Sequence, residues 1–341
     1  MPNKRLGEGL RLAAAAGALC ALLAQSAGAA DEKTYVMKIT TPTLNDAPHQ
    51  LAKNFGAAVE RDSGGRIKAE VYPASQLGSI PRQIEGVQFG AIQAAVIPPE
   101  FFVGVDQRFE VMAAPGLINS VAQGERLAAD PEVLKLMLGL GAEKGLRGLG
   151  MFCAQQQLMV TRMPIRHLAD LKGKKIRIFA SDFQSEAFKR LGATPVAMTL
   201  GDVVPALQQG AIDGALAGIT PLVNLHFVDA AKYITEINQP TIFLVLEVSR
   251  KWYDSLPKDL QEIVDRDGAR ETIAIDPASD EFNEKAMKGW VAGGGEFIKF
   301  PPDEQAAMLK TLESVGEDVS KTKPQLNAAY KLVSDAAKRL Q

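Results

Sequence analysis

Two separated stretches of this 341-residue chain run through the same order of local signals, and that repetition restricts the fold more than any other feature. The first opens with an apolar, β-branched strand over 35–40, then a helix that Asp46 can cap, with Leu51, Phe55, Ala58 and Val59 on one face. Ser63-Gly64-Gly65 stops that helix, and Ile67, Ala69 and Val71 alternate as a second strand. Ile80, Ile84 and Val87 mark a second helix, and 91–97 reads as a buried third strand. The second stretch predicts a strand over 175–179, a helix over 185–191 closed by Gly192, and a strand over 194–198. A helix over 201–209 and a strand over 212–217 complete it. Both units end alike, Gly90-Ala91-Ile92-Gln93-Ala94-Ala95 against Gly210-Ala211-Ile212-Asp213-Gly214-Ala215. A β-α-β-α-β unit needs its own parallel sheet covered by helices, so two units predict an α/β protein with two lobes. Ligands of such sheets bind beyond the carboxyl ends of the strands, here in the cleft between the lobes.

The last third reads as mainly helical. Leu260, Ile263 and Val264 follow Pro257, which suits a first helical turn. Asp276-Pro277 should interrupt or kink the run, and Gly293-Gly294-Gly295 should end it. No Lys-Ser or Lys-Thr follows that triplet, so it is not a phosphate loop.

The N-terminus carries a targeting pattern. Lys4, Arg5 and Arg11 precede an apolar run over 12–24, small residues at Ala27-Gly28-Ala29, and the charged Asp31-Glu32-Lys33. This order predicts a cleavable secretory signal peptide over 1–30, with cut sites after Ala29 or Ala30. An apolar run of about 13 residues is too short to span ~30 Å of hydrocarbon, so stable membrane insertion is not expected. Gly17-Ala18-Leu19-Cys20 lacks the small residue that a lipoprotein cysteine prefers before it. Removal of the leader leaves Cys153 alone, so the mature fold has no internal disulfide. Its neighbours Met151 and Phe152 point to a buried thiol.

Several function classes are disfavoured. A net charge of -2 gives no basic surplus for nucleic acid. His49, His167 and His226 lie far apart without metal-ligand spacing, so neither a metal nor a cofactor is expected. The chain has no Gly-x-Ser-x-Gly elbow and no dinucleotide glycine fingerprint, which argues against an enzyme.

Five segments, in order, resemble the substrate-binding subunits of TRAP transporters, the DctP family. They are Ser63-Gly64-Gly65-Arg66-Ile67, Tyr72-Pro73-Ala74-Ser75-Gln76-Leu77-Gly78 and Asp170-Leu171-Lys172-Gly173-Lys174-Lys175-Ile176-Arg177. Leu207-Gln208-Gln209-Gly210-Ala211-Ile212-Asp213-Gly214 and Trp252-Tyr253-Asp254-Ser255-Leu256-Pro257 complete the set, which spans nearly all of 35–310. The resemblance implies a two-lobed periplasmic-binding-protein-like fold, each lobe a mixed sheet flanked by helices, with a long C-terminal helix contacting both. It implies crossed connections near Ala154 and Ile242. Residues 31–154 and 243–282 then form lobe I, and 155–242 and 283–341 lobe II. It also implies a monomeric periplasmic receptor that delivers a small organic acid to ion-driven membrane subunits. A sensor subunit for a signalling kinase would use the same fold and ligand, and an exported enzyme is the more distant alternative.

In the family, the arginine of the Lys-x-Arg segment clamps the ligand carboxylate, which makes Arg177 the clamp here. A guanidinium is a fixed two-pronged donor that matches a carboxylate better than an ammonium does. This chain departs from its relatives at other pocket positions. A second arginine becomes Gln157, the ligand-binding asparagine becomes Ala217, a pocket aromatic becomes Leu200, and an acidic position becomes Pro98. With one cation and few polar partners, the expected ligand is a monocarboxylate with an apolar or aromatic body, since unpaired buried polar groups are costly. Gln155, Gln157, Thr41, His49 and Phe179 are further ligand-binding candidates. Glu247, inside the apolar run 243–248, faces solvent if its strand alternates; facing the cleft, it would favour a ligand amine.

Overall fold

The structure is a computed structural model and describes residues 33–237 and 241–340. The expected leader, 1–30, lies outside the described residues. The first repeat is β1 (Tyr35–Thr40), α1 (Ala47–Asp62), β2 (Ile67–Tyr72), α2 (Ile80–Phe89) and β3 (Ala94–Ile97). Next come α3 (Val121–Ala128), α4 (Pro131–Gly139), β4 (Leu146–Gln156) and β5 (Leu158–Thr161). The second repeat is β6 (Lys175–Ile178), α5 (Asp182–Arg190), β7 (Thr194–Ala197), α6 (Val203–Gln208) and β8 (Gly214–Ala217). Then follow α7 (Ile219–Asn224), β9 (Tyr233–Glu236), β10 (Thr241–Ser249), α8 (Arg250–Asp254) and α9 (Lys258–Ile273). The described chain closes with α10 (Asp276–Ala292), β11 (Glu296–Lys299), α11 (Pro302–Leu312), α12 (Val315–Ser320) and α13 (Pro324–Arg339).

The repeats fold alike. One sheet has the order β2-β1-β3-β10-β4 and the other β11-β9-β5-β8-β6-β7. In each repeat the first strand lies between the second and third, parallel to both. Each sheet then gains strands from outside its repeat: β10 runs antiparallel to β3 and β4, and β5 antiparallel to β8 and β9. Local chemistry sets the ends of these elements. Asp46 caps α1 by accepting the His49 N–H at 3.2 Å, and Gly90 closes α2 in the left-handed region at φ 83°.

The chain passes between the sheets twice. Gln157 alone separates β4 from β5, and the second passage lies between β9 and β10. The helical run breaks where Asp276-Pro277 was expected to interrupt it. α9 packs on β4 and α1, while α10 packs on α7 and β4, so the run touches both lobes. It ends at Gly293, the first of the three glycines. α13 rests on α3 and α4, where Gln123 Nε2 donates to the Ala337 carbonyl at 3.0 Å. Those are first-lobe elements, whereas residues 283–341 were expected with the second lobe.

One apolar cluster lies between α1 and the first sheet, with Met37, Ile39, Phe55, Leu244 and Leu246. Another fills the second lobe around Val160, Ala215, Ile234 and Trp290. A third continues between the lobes, joining Val245 and Phe243 to Ile176, Phe183 and Leu216. Cys153 is fully buried, and its burial pushes the thiol up to about 12. Among the described residues, no helix is long and apolar enough to cross a membrane.

Candidate functional site

A narrow cavity of about 50 Å³ lies between the lobes. Asp46, Ile80, Pro98 and Phe101 line it from the first lobe, and Arg177, Phe179, Leu200 and Ala217 from the second. Gln155, near the crossing, completes one wall. The placement follows from topology: β6 and β8 end at the cleft, and α1 begins there.

Arg177 is the third residue of β6 and is 1% exposed. Its Nε donates to the Met198 carbonyl at 2.8 Å and its Nη1 to the Leu216 carbonyl at 2.7 Å. These two bonds fix the plane of the fork. The guanidinium carbon sits 4.7 Å from the centre of the Phe179 ring and 6.0 Å from that of Phe101. The two rings stack with centroids 5.2 Å apart. Arg177 forms no ion pair with any of the described residues. Burial lowers its pKa to about 9, so it remains a cation at neutral pH. A buried cation beside aromatic faces, held by neutral carbonyls, is poised to take a carboxylate.

The other candidates divide. Gln155, Phe179, Leu200, Ala217 and Pro98 line the same cavity as Arg177. The Gln155 amide is committed to α7: its Nε2 donates to Thr220 Oγ1 at 3.0 Å, and its Oε1 accepts the Thr220 N–H at 3.2 Å. It crosses Gly218 so closely that an added Cβ there would collide with Gln155 Cδ.

Gln157 does not line the cavity. It is buried at the β4–β5 crossing, where its Oε1 accepts from Gln184 Nε2 at 3.2 Å. Thr41 does not line it either, because its hydroxyl turns back to donate to the Thr43 carbonyl at 2.7 Å. His49 lies in a second, outer cavity with Lys53, Asn224 and Lys285, and its Nδ1 accepts the Asn45 N–H at 3.0 Å. Glu247 faces neither cleft nor solvent. On β10 it shares a face with Phe243 and Val245, while the cavity takes Ile242 and Leu244 from the opposite face. It is fully buried, both carboxylate oxygens lack a hydrogen-bond partner among the described residues, and burial raises its pKa well above the usual range.

Sequence reasoning missed Phe101 and Asp46 as cavity residues. Phe101 had no signal beyond its hydrophobicity. Asp46 was visible only as a helix cap, and nothing in that role says that the cap faces a cavity. Its carboxyl is 1% exposed, and burial raises its pKa to about 6. The lobes also meet at the rim of the cleft. Asn224 Nδ2 on α7 donates to the carbonyls of Leu44 and Asn45 at 2.8 and 3.1 Å. Asn45 adopts a left-handed φ of 53°, which asparagine tolerates better than most residues.

The family model for bacterial extracellular solute-binding proteins, family 7 (DctP), matches residues 40–322. The chain is 28% identical over 319 residues to the C4-dicarboxylate-binding periplasmic protein DctP of Rhodobacter capsulatus, covering 91% of this chain and 93% of that one. Its fold is that of a sugar acid binding protein from Advenella mimigardefordensis solved with galactonate, at TM-score 0.85 and 22% identity, over 91% of this chain and 99% of that one. It equally matches a TRAP periplasmic solute binding protein from Desulfovibrio salexigens solved with orotic acid, at TM-score 0.84 and 21% identity, over 90% of this chain and all of the other.

Proposed function

The chain belongs to family 7 of the bacterial extracellular solute-binding proteins, and we propose on that premise that it receives a small organic carboxylate in the periplasm and passes it to TRAP-type membrane subunits. The family consists of receptors and not enzymes, so the ligand leaves chemically unchanged. The observation that carries the carboxylate is Arg177, a buried cation without a carboxylate partner among the described residues, on the wall of a largely apolar cavity. Gln155, another polar group on that wall, is already bonded to Thr220.

Two ring faces and the aliphatic Ile80, Leu200 and Leu244 favour a ligand with one carboxylate and an apolar or aromatic body. Bound acids named for the neighbours, galactonate and orotic acid, support a small organic acid as ligand, while the apolar body rests on the cavity lining. Residues 31–154 with 243–282, and 155–242 with 283–323, act in this reading as the two jaws, with α13 braced on the first.

The experiment is a thermal-shift screen of the mature protein against small carboxylates, each paired with its primary amide. A ligand that binds only the folded state raises the melting temperature by mass action. Acids should raise it and their amides should not. Equal shifts for acid and amide throughout would remove the carboxylate from the reading.

A further inference from the structure

We propose that Asp46 is a specificity-determining residue of this cavity: it accepts a hydrogen-bond donor, a hydroxyl or an ammonium, at the end of the ligand away from Arg177, and it excludes a second carboxylate there. The assignment rests on the carboxylate reading above and names the other end of the same ligand.

Asp46 lines the inner cavity together with Arg177, and it also lines the outer cavity with His49, Lys53 and Lys285. It therefore stands where the apolar chamber meets the polar rim. The two charges come from different lobes, Arg177 from β6 and Asp46 from the start of α1. A ligand satisfying both bridges the cleft, so the closed arrangement is favoured only for molecules with a carboxylate at one end and a donor at the other.

Helix capping alone does not account for an aspartate here. The cap uses Oδ1, which accepts the His49 N–H at 3.2 Å. Asparagine or serine would cap equally well without burying a charge. Asp46 has no ion pair with any of the described residues; the Thr43 hydroxyl on the same cavity wall is a neutral donor within its reach, and Ile80, Pro98 and Leu244 on the same walls are apolar. A ligand hydroxyl would add a donor to those of Thr43 and His49, and a ligand ammonium would supply the missing counter-charge. A ligand carboxylate would meet a like charge in a place with little solvent to screen it.

The test is calorimetry with two matched series on the mature protein. The aromatic series is benzoate, 4-hydroxybenzoate, 4-(aminomethyl)benzoate and terephthalate. The aliphatic series is butyrate, 4-hydroxybutyrate, 4-aminobutyrate and succinate. Wild type should bind the hydroxy or amino member of at least one series tenfold or more tighter than the parent, and the dicarboxylate weakest. In Asp46→Asn, which keeps cap and size, that preference should fall at least tenfold and the dicarboxylate should gain by a similar factor. Asp46→Ser provides a second capping variant, with melts to verify folding. A ranking unchanged within threefold in both variants, or wild type preferring a dicarboxylate, overturns the role of Asp46. Failure of the underlying reading looks different: wild type binds no member of either series, or Arg177→Ala binds them as wild type does.

Discussion

Arg177 and Glu247 are both fully buried ionisable residues in strands, yet their surroundings differ in kind. Arg177 has two carbonyl acceptors and two ring faces; Glu247 has no hydrogen-bond partner among the described residues. A buried polar group left unpaired costs about 1–3 kcal/mol. Glu247→Met, an apolar replacement of similar length, should therefore stabilise the protein by that amount and raise its melting temperature by several degrees. A lower melting temperature would show that Glu247 has a partner in solution. Glu100 adds a pH dependence. Burial, and secondarily the charge of Glu110, raise its pKa from 4.5 to about 8. A raised folded-state pKa gives a contribution that is complete below pH 4.5 and lost as pH climbs toward 8, at about 1.4 kcal/mol per unit. Glu100→Gln should flatten the melting-temperature profile across that window, and an unchanged slope would place its origin elsewhere. Arg177 was legible because it closes a recognisable segment. Glu247 was misplaced because period-2 alternation says that a residue changes face, not what covers that face.

At the scale of elements, the two repeats were readable in advance because each is built from local signals: Asp46 as cap, Gly90 and Gly192 as stops, alternating strands between. Their boundaries shifted by a few residues; the third strand begins at Ala94, not 91, and the helix of the second unit at Asp182, not 185. The insertion of β10 beside β3 and of β5 beside β8 was not legible from periodicity, since such pairing is decided by distant partners. The contact of α7 with the first lobe was hidden for the same reason. It yields a prediction, because Asn224 carries two hydrogen bonds across the rim. Asn224→Ala should weaken ligand binding about five- to tenfold, as expected for roughly 1 kcal/mol lost from the closed arrangement, with little change in the unliganded melting temperature. Calorimetry checks this, and unaltered affinity would mean that the rim bonds do not contribute to closure.

For the whole molecule, two sheets joined by two crossings, with α9 on the first lobe and α10 reaching from it to the second, form a frame in which one lobe can turn on the other. Ligand should compact the protein as a rigid-body closure, and it can do so only through higher affinity for the closed arrangement. X-ray scattering with and without saturating ligand should show a smaller radius of gyration in its presence. The central claim is narrower than closure: Arg177 holds the ligand carboxylate. Removing one partner of a buried charge pair costs about 3–5 kcal/mol, roughly a 10²- to 10⁴-fold loss of affinity. The decisive measurement is calorimetry of wild type, Arg177→Lys and Arg177→Ala with one binding acid and its amide. Arg177→Ala should show that loss, Arg177→Lys should recover part of it, and the amide should bind little to any of the three. Arg177→Ala binding the acid within threefold of wild type, or the amide binding as well as the acid, would contradict the claim.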